Sequence, residues 1–133
     1  MPALELYQGG GIPEIRVCIG DYPPMREQTF ILSARYGLLG ADDLIVPYNA
    51  VLTLADALRM RPTVWNDIQR RVLTPRRPDA IFIFAEPLYF ALAADLLEGT
   101  PTTHIIWEPD IRNGLGRMIA KLRAWRDVAR RGL

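Results

Sequence analysis

Apolar runs of strand length alternate with stretches of helical period along this chain, and glycine and proline separate them. Ile12, Ile15 and Ile19 fall at helical spacing, Pro13 suits a first helical turn, and Gly20 can end it. Asp21 to Pro24 reads as a turn. Thr29 to Ala34 (TFILSA) is apolar over a length that suits a strand and is too short for a helix. From Arg35 to Leu52 the pattern is that of a loop, punctuated by Gly37, Gly40 and Pro47. Thr53 can cap a helix that starts at Leu54, with Asp56 at its third position. Pro62 predicts a break near Met60, after which Val64 or Trp65, Ile68 and Val72 continue an apolar face. Pro75 and Pro78 bracket a further turn. Ala80 to Ala85 (AIFIFA) is apolar throughout, as expected of a strand covered on both faces. Glu86-Pro87 opens a helix carrying Leu88, Leu92 and Leu96 and closed by Gly99, and His104 to Trp107 forms a third strand. Leu115, Met118, Ile119, Leu122 and Trp125 line the inner face of a last helix.

Strands alternating with helices predict an α/β fold: one domain over residues 1–133, with a small, mainly parallel sheet flanked by helices on both faces in a three-layer α/β/α arrangement. In such sheets ligands bind beyond the carboxyl ends of the strands. That rule selects residues 33–36, 86–89 and 108–117.

Composition narrows the class. The chain has 133 residues, 50% of them hydrophobic and 23% charged, which suits one globular domain with one core. With one cysteine, Cys18, and one histidine, neither a disulfide framework nor a structural metal site is expected, and no cofactor is implied. The first residues lack the pattern of a signal peptide, and no apolar run reaches the ~20 residues that span a bilayer, so a cytoplasmic location without membrane contact is expected. Net charge is only +1, but residues 112–131 hold Arg112, Arg117, Lys121, Arg123, Arg126, Arg130 and Arg131 against Asp127 alone. Arg70, Arg71, Arg76 and Arg77 form a second basic cluster. Such faces either attract phosphates or are solvated helix surfaces.

Candidate chemistry gathers at the predicted strand ends. Ser33, Arg35 and Tyr36 supply a hydroxyl, a guanidinium and a phenol suited to an anionic or hydrogen-bonding ligand, and Gly37 permits a sharp turn or close backbone approach. Asp42, Asp43 and Tyr48 follow in a loop that can fold back over the site; equally, the tyrosines can be packing residues and the aspartates a surface turn. Glu86 follows an apolar strand, where partial burial would raise its pKa and fit it for acid/base work, while the adjoining helix start favours its charged form. Gly114, Gly116 and Arg117, in a glycine turn before the last helix, can receive a phosphate. Gly20-Asp-Tyr-Pro23 resembles the water-activating loop of uracil-DNA glycosylases, but it follows a helix rather than a strand. Ser33 is no nucleophile elbow, because G-x-S-x-G is absent and the single His104 lies in a strand.

Leu4-Glu-Leu-Tyr7, the run ILSARYGLLGADDLIVPY from Ile31 to Tyr48, and Asn113-Gly-Leu-Gly-Arg117 together resemble a group of small bacterial and phage domains related to the peroxide-stress protein YaaA. That group carries a Leu-Ser-Ala-x-Tyr/His-Gly-Leu strand end followed by a Pro-x-Tyr or Pro-Tyr element. Its members usually begin with a further strand ending in Cys-Ser or Pro-Cys and a lysine; this chain starts after it. The resemblance implies a nucleobase, nucleotide or nucleic-acid ligand without fixing a reaction.

Three functions are expected in turn. The leading one is an enzyme acting on a nucleoside, nucleotide or nucleobase by N-glycosidic bond hydrolysis or transfer. Glu86 or Asp42 would be the catalytic carboxylate, Ser33, Arg35 and Tyr36 would hold the ligand, Tyr48 or Tyr89 would stack on a base, and Gly114, Gly116 and Arg117 would take a phosphate. The second is a non-enzymatic DNA- or RNA-binding domain using the basic last helix. The third is an accessory protein of a biosynthetic pathway, acting through a partner or as a homodimer.

Overall fold

The computed structural model describes residues 1–9, 11–74, 76–100 and 102–130; Pro75, Arg131 and the side chain of Arg130 lie outside the described residues. Strands and helices mix as expected. Among the described residues the β-structure, however, forms two separate two-stranded sheets rather than one mainly parallel sheet. The first is an antiparallel hairpin of β1 (Phe30–Ser33) and β2 (Gly37–Gly40), with Ile31 opposite Leu39 and Ser33 opposite Gly37. The second is a parallel pair, β3 (Ala80–Phe84) and β4 (His104–Glu108).

The hairpin corrects the expected loop. Residues 34–36 make the turn, and Gly37 follows with φ +75°, a left-handed conformation that suits a three-residue hairpin loop. A side chain there would also press on Val64, whose Cγ2 lies 3.0 Å from an ideal Cβ. Both faces of the hairpin are covered. Ile31 and Leu39 join one core with Ala3, Leu4, Ile19, Met25 and Ile45. Leu38, with Phe30 and Leu32 packed beside it, belongs to a second core with Ala57, Val64, Ile68, Ile83, Phe90 and Leu92. The hairpin is thus a septum between two apolar clusters, which is why four consecutive residues of β2 are buried.

Around it lie α1 (Ala3–Leu6), α2 (Ile12–Ile19) and α3 (Pro23–Glu27). The helix ending at Gly20 is as expected, whereas the expected turn after Asp21 is the short α3. α4 (Leu54–Ile68) starts where predicted: Thr53 Oγ1 accepts the Asp56 N–H at 3.1 Å. It does not break at Pro62. Pro62 sits on the exposed side of the helix, as does Leu58, whose carbonyl it cannot bond, and α4 continues into one π turn over Gln69–Leu73.

β3 inserts Ile81 and Ile83 into the second core, while Phe82 packs on Trp125 with ring centroids 5.4 Å apart. The helix expected after Glu86 is segmented into α5 (Pro87–Phe90), a 3-10 turn (Ala91–Ala93) and α6 (Leu96–Gly99). The last helix, α7 (Ile111–Arg130), packs on α2 and β4, with Met118 its most deeply buried apolar side chain among the described residues. Among the described residues no helix is long and apolar enough to cross a membrane.

Candidate functional site

The alternation of β1 puts Ser33 on the same buried face as Ile31, at 1% exposure. A buried hydroxyl requires partners. Ser33 Oγ accepts the backbone N–H groups of Arg35 at 3.2 Å and Tyr36 at 3.0 Å, which holds the hairpin turn closed. It also lies 2.8 Å from the phenolic oxygen of Tyr48, and Tyr48 lies 2.7 Å from that of Tyr7. Three hydroxyls therefore form one chain, built from a strand end, the loop after Ile45, and the residue that closes α1. Tyr36 and Tyr7 meet the ring of Tyr48 edge-on, with centroids 5.5 and 6.2 Å away.

An open cleft of about 410 Å³ lies beside this chain, lined by Leu6, Tyr7, Gln8, Pro47, Tyr48, Asn49, Ala50 and Tyr89. That volume falls within the range of small-ligand sites. Tyr89 comes from α5, which the carboxyl end of β3 feeds, so one residue of the lining falls in a segment that the strand-end rule selects. Burial, with Tyr48 and the charge of Glu86, pushes the Tyr89 phenol above the usual tyrosine range. Burial likewise is the main cause that raises Tyr7 well above that range. Both phenols stay protonated at neutral pH and can donate hydrogen bonds. The lining carries aromatic rings and two side-chain amides but no charged group. It suits a flat, neutral, hydrogen-bonding ligand.

The other predicted residues fall as follows. Arg35 is exposed, its guanidinium 5.4 Å from the centroid of the Tyr36 ring. Gly37 serves the turn itself. Glu86 immediately precedes α5 and is exposed, so the partial burial expected of it is absent. It is not part of the cleft lining, and its charge is the smallest of the causes that raise Tyr89.

Asp42 is not at this site. The register places Gly40 opposite Phe30, so Asp42 emerges at the far end of the hairpin from Ser33, about 10 Å away along the strands. There it pairs with Arg26 at 2.7 Å. Asp43 accepts two hydrogen bonds from Arg71, at 2.7 and 2.9 Å, and one from the Gly40 N–H. These four side chains line a second cleft of about 340 Å³. Arg26 answers Asp42 and Arg71 answers Asp43, while Glu27, also in the lining, has no ion-pair partner among the described residues; Arg26 also reaches Glu5 and the Gly20 carbonyl. This is a clamp that ties α3, the hairpin and the π turn together.

Gly114 and Gly116 do not form a turn before the last helix; they lie within α7. The Gly114 N–H is spent on the Asp110 carbonyl, so it presents no donor to a phosphate. Gly114 instead gives room to Glu108, whose carboxyl carbon sits 2.2 Å from where a Cβ would stand, and Glu108 pairs with Arg117 at 2.7 Å. Sequence reasoning missed Tyr7, Gln8 and Asn49. Tyr7 carried one signal, its place in the first segment of the resemblance. Among the described residues no group of three or more His, Cys, Asp or Glu side chains gathers as a metal site would require.

No family model matches the chain, and neither a curated protein nor a solved structure gives a match.

Proposed function

We propose that the tyrosine-lined cleft binds a nucleobase or nucleoside and that the protein acts on its N-glycosidic bond. The observation that carries this reading is the convergence of Tyr7, Tyr48 and Tyr89 on one uncharged cleft of about 410 Å³. Aromatic faces with amide and phenol edges are what a heterocyclic base requires: stacking area and directional hydrogen bonds. Ser33 and Tyr36 hold the site's shape. Arg35, exposed above Tyr36, supplies a positive charge for the phosphate of a nucleotide. Glu86, three residues before Tyr89 in the chain, is the carboxylate that stabilises the developing sugar cation or positions water. The resemblance to YaaA-related domains points to the same ligand class.

The test is release of free base from nucleosides and nucleotides. Glu86→Gln lowers turnover about 100-fold or more while ligand binding is kept. No release by the wild-type protein, or Glu86→Gln turning over as the wild type does, contradicts the enzymatic reading.

A second reading is favoured by one observation on α7. At 100° per residue, Arg112 and Arg123 run along one edge of its outward face and Arg117 and Lys121 along the other, with Gly116, Ala120 and Ala124 between. Arg112, Lys121 and Arg123 have no carboxylate at ion-pair distance among the described residues, unlike Arg26, Arg61 and Arg71. This face suits a nucleic-acid backbone. It predicts DNA or RNA affinity that falls steeply between 50 and 200 mM salt, at about one unit of logarithmic slope per phosphate contacted.

A further inference from the structure

Counting the hydroxyl hydrogens of the Ser33–Tyr48–Tyr7 chain narrows the ligand. A hydroxyl has one hydrogen to donate and two lone pairs to accept with. Ser33 Oγ spends its acceptor capacity on the Arg35 and Tyr36 N–H groups. Its own hydrogen is therefore directed at Tyr48, 2.8 Å away. The contact between Tyr48 and Tyr7, at 2.7 Å, consumes one phenolic hydrogen, whichever ring supplies it. The two phenols carry two hydrogens between them, so one is left over. Outside the Ser33–Tyr48–Tyr7 group neither phenol has a hydrogen-bond partner among the described residues. Both line the cleft.

We propose that this unspent phenolic hydrogen faces the cleft and makes the site select bases with a lactam edge, in which a ring N–H stands beside a carbonyl. The inference rests on the nucleobase reading above and names its substrate class. Once a base displaces water from the cleft, that donor is satisfied by an acceptor on the ligand, and a base carbonyl is a strong neutral one. The remaining polar side chains of the lining fit the same edge. Gln8 commits its amide nitrogen only to long contacts, 3.4 and 3.5 Å, with the Glu5 and Leu6 carbonyls, and its amide oxygen has no partner among the described residues. Asn49 is exposed at the mouth with a complete amide to offer. An amide reads a lactam by accepting from its N–H and donating to its carbonyl. With no charged side chain in the lining, nothing there favours an ionised ligand over these neutral ones. Because burial holds Tyr7 protonated well above neutral pH, the donor persists across the physiological range.

The arrangement has a signature that mere contact loss lacks. In Tyr7→Phe the Tyr48 hydrogen has no phenol left to bond and is available to the cleft, so a donor survives. In Tyr7→Phe/Tyr48→Phe none survives. Isothermal titration with inosine, guanosine, uridine and adenosine reads the difference. The oxo-nucleosides bind about fivefold or more tighter than adenosine. Tyr7→Phe weakens their binding less than about threefold, and the double variant weakens it about tenfold or more. Thermal melts establish that each variant is folded. Should the double variant not fold, the wild-type protein titrated with 4-thiouridine against uridine, and 6-thioguanosine against guanosine, decides. A thiocarbonyl is the weaker acceptor, so both sulfur analogues bind several-fold less tightly. Parity of a folded double variant with wild type, or parity within both thio pairs, overturns this inference and leaves the nucleobase site standing. Absence of binding by every nucleoside overturns both.

Discussion

Asp43 and Arg71 show how a single ion pair organises the end of the hairpin remote from the cleft. Arg71 grips the Asp43 carboxylate with two nitrogens, the Gly40 N–H adds a third hydrogen bond, and the guanidinium lies 5.5 Å from the centroid of the Phe30 ring. The Arg71 hydrogen bonds, and then the Gly40 N–H, hold Asp43 below the usual carboxylate range against the opposing effect of burial. A carboxyl whose folded pKa is depressed contributes stability above its unfolded pKa, near 3.9, and loses it as pH falls through the lower folded value. Asp43→Asn therefore lowers stability at pH 7 by about 1 kcal/mol, a figure discounted for the pair's partial exposure. The gap between variant and wild type narrows as the pH is taken below 4. Urea titrations at pH 7 and at successive acid pH values measure it; a gap that is constant with pH contradicts the assignment. Asp42, next in sequence, is exposed and bound to Arg26, so neither aspartate is available to the tyrosine cleft.

At the scale of elements, α4 illustrates what local pattern conveys and what it omits. Its start was legible from Thr53 and Asp56 because a cap is a contact between neighbours in sequence. Its continuation through Pro62 was not, because tolerance depends on which side of the helix the proline occupies. Ala57, Val64 and Ile68 anchor the buried side, while Leu58 and Pro62 face outward. Proline in a helix interior still costs a hydrogen bond. Pro62→Ala accordingly raises stability by about 1–3 kcal/mol, seen as a higher thermal midpoint; a lower midpoint means that the proline serves the packing of α4. β2 was illegible for a different reason. Gly37-Leu-Leu-Gly40 is too short and too rich in glycine to announce a strand, and it becomes one by pairing with β1 between two cores. With β2 as its partner, β1 no longer needs a place in a parallel sheet. Gly114 misled in the same way: two glycines before an amphipathic run read as a turn, whereas both lie inside α7, where Gly114 gives room to Glu108 and Gly116 meets no neighbour.

For the whole molecule, the candidate site joins segments far apart in the chain. Tyr7 and Tyr48 are separated by 41 positions, and Tyr48 and Ser33 by 15. The strand-end rule and the loop that follows β1 brought Ser33, Tyr36, Tyr48 and Tyr89 into view from sequence. No local pattern could reveal that Tyr7 completes the hydroxyl chain, or that Gln8 and Asn49 flank it. Nor could it show that Asp42 and the Gly114 segment lie elsewhere, since those positions follow from the hairpin register and from the start of α7. The molecule thus presents two candidate faces of opposite character: an uncharged aromatic cleft and the basic outer side of α7. Their separation makes the central claim directly testable. Amide chemical-shift mapping of the protein titrated with guanosine or uridine should show the largest, saturable changes at Tyr7, Gln8, Tyr48, Asn49 and Tyr89. Changes confined to α7, or no saturable change anywhere, would contradict the assignment of the cleft as a nucleobase site.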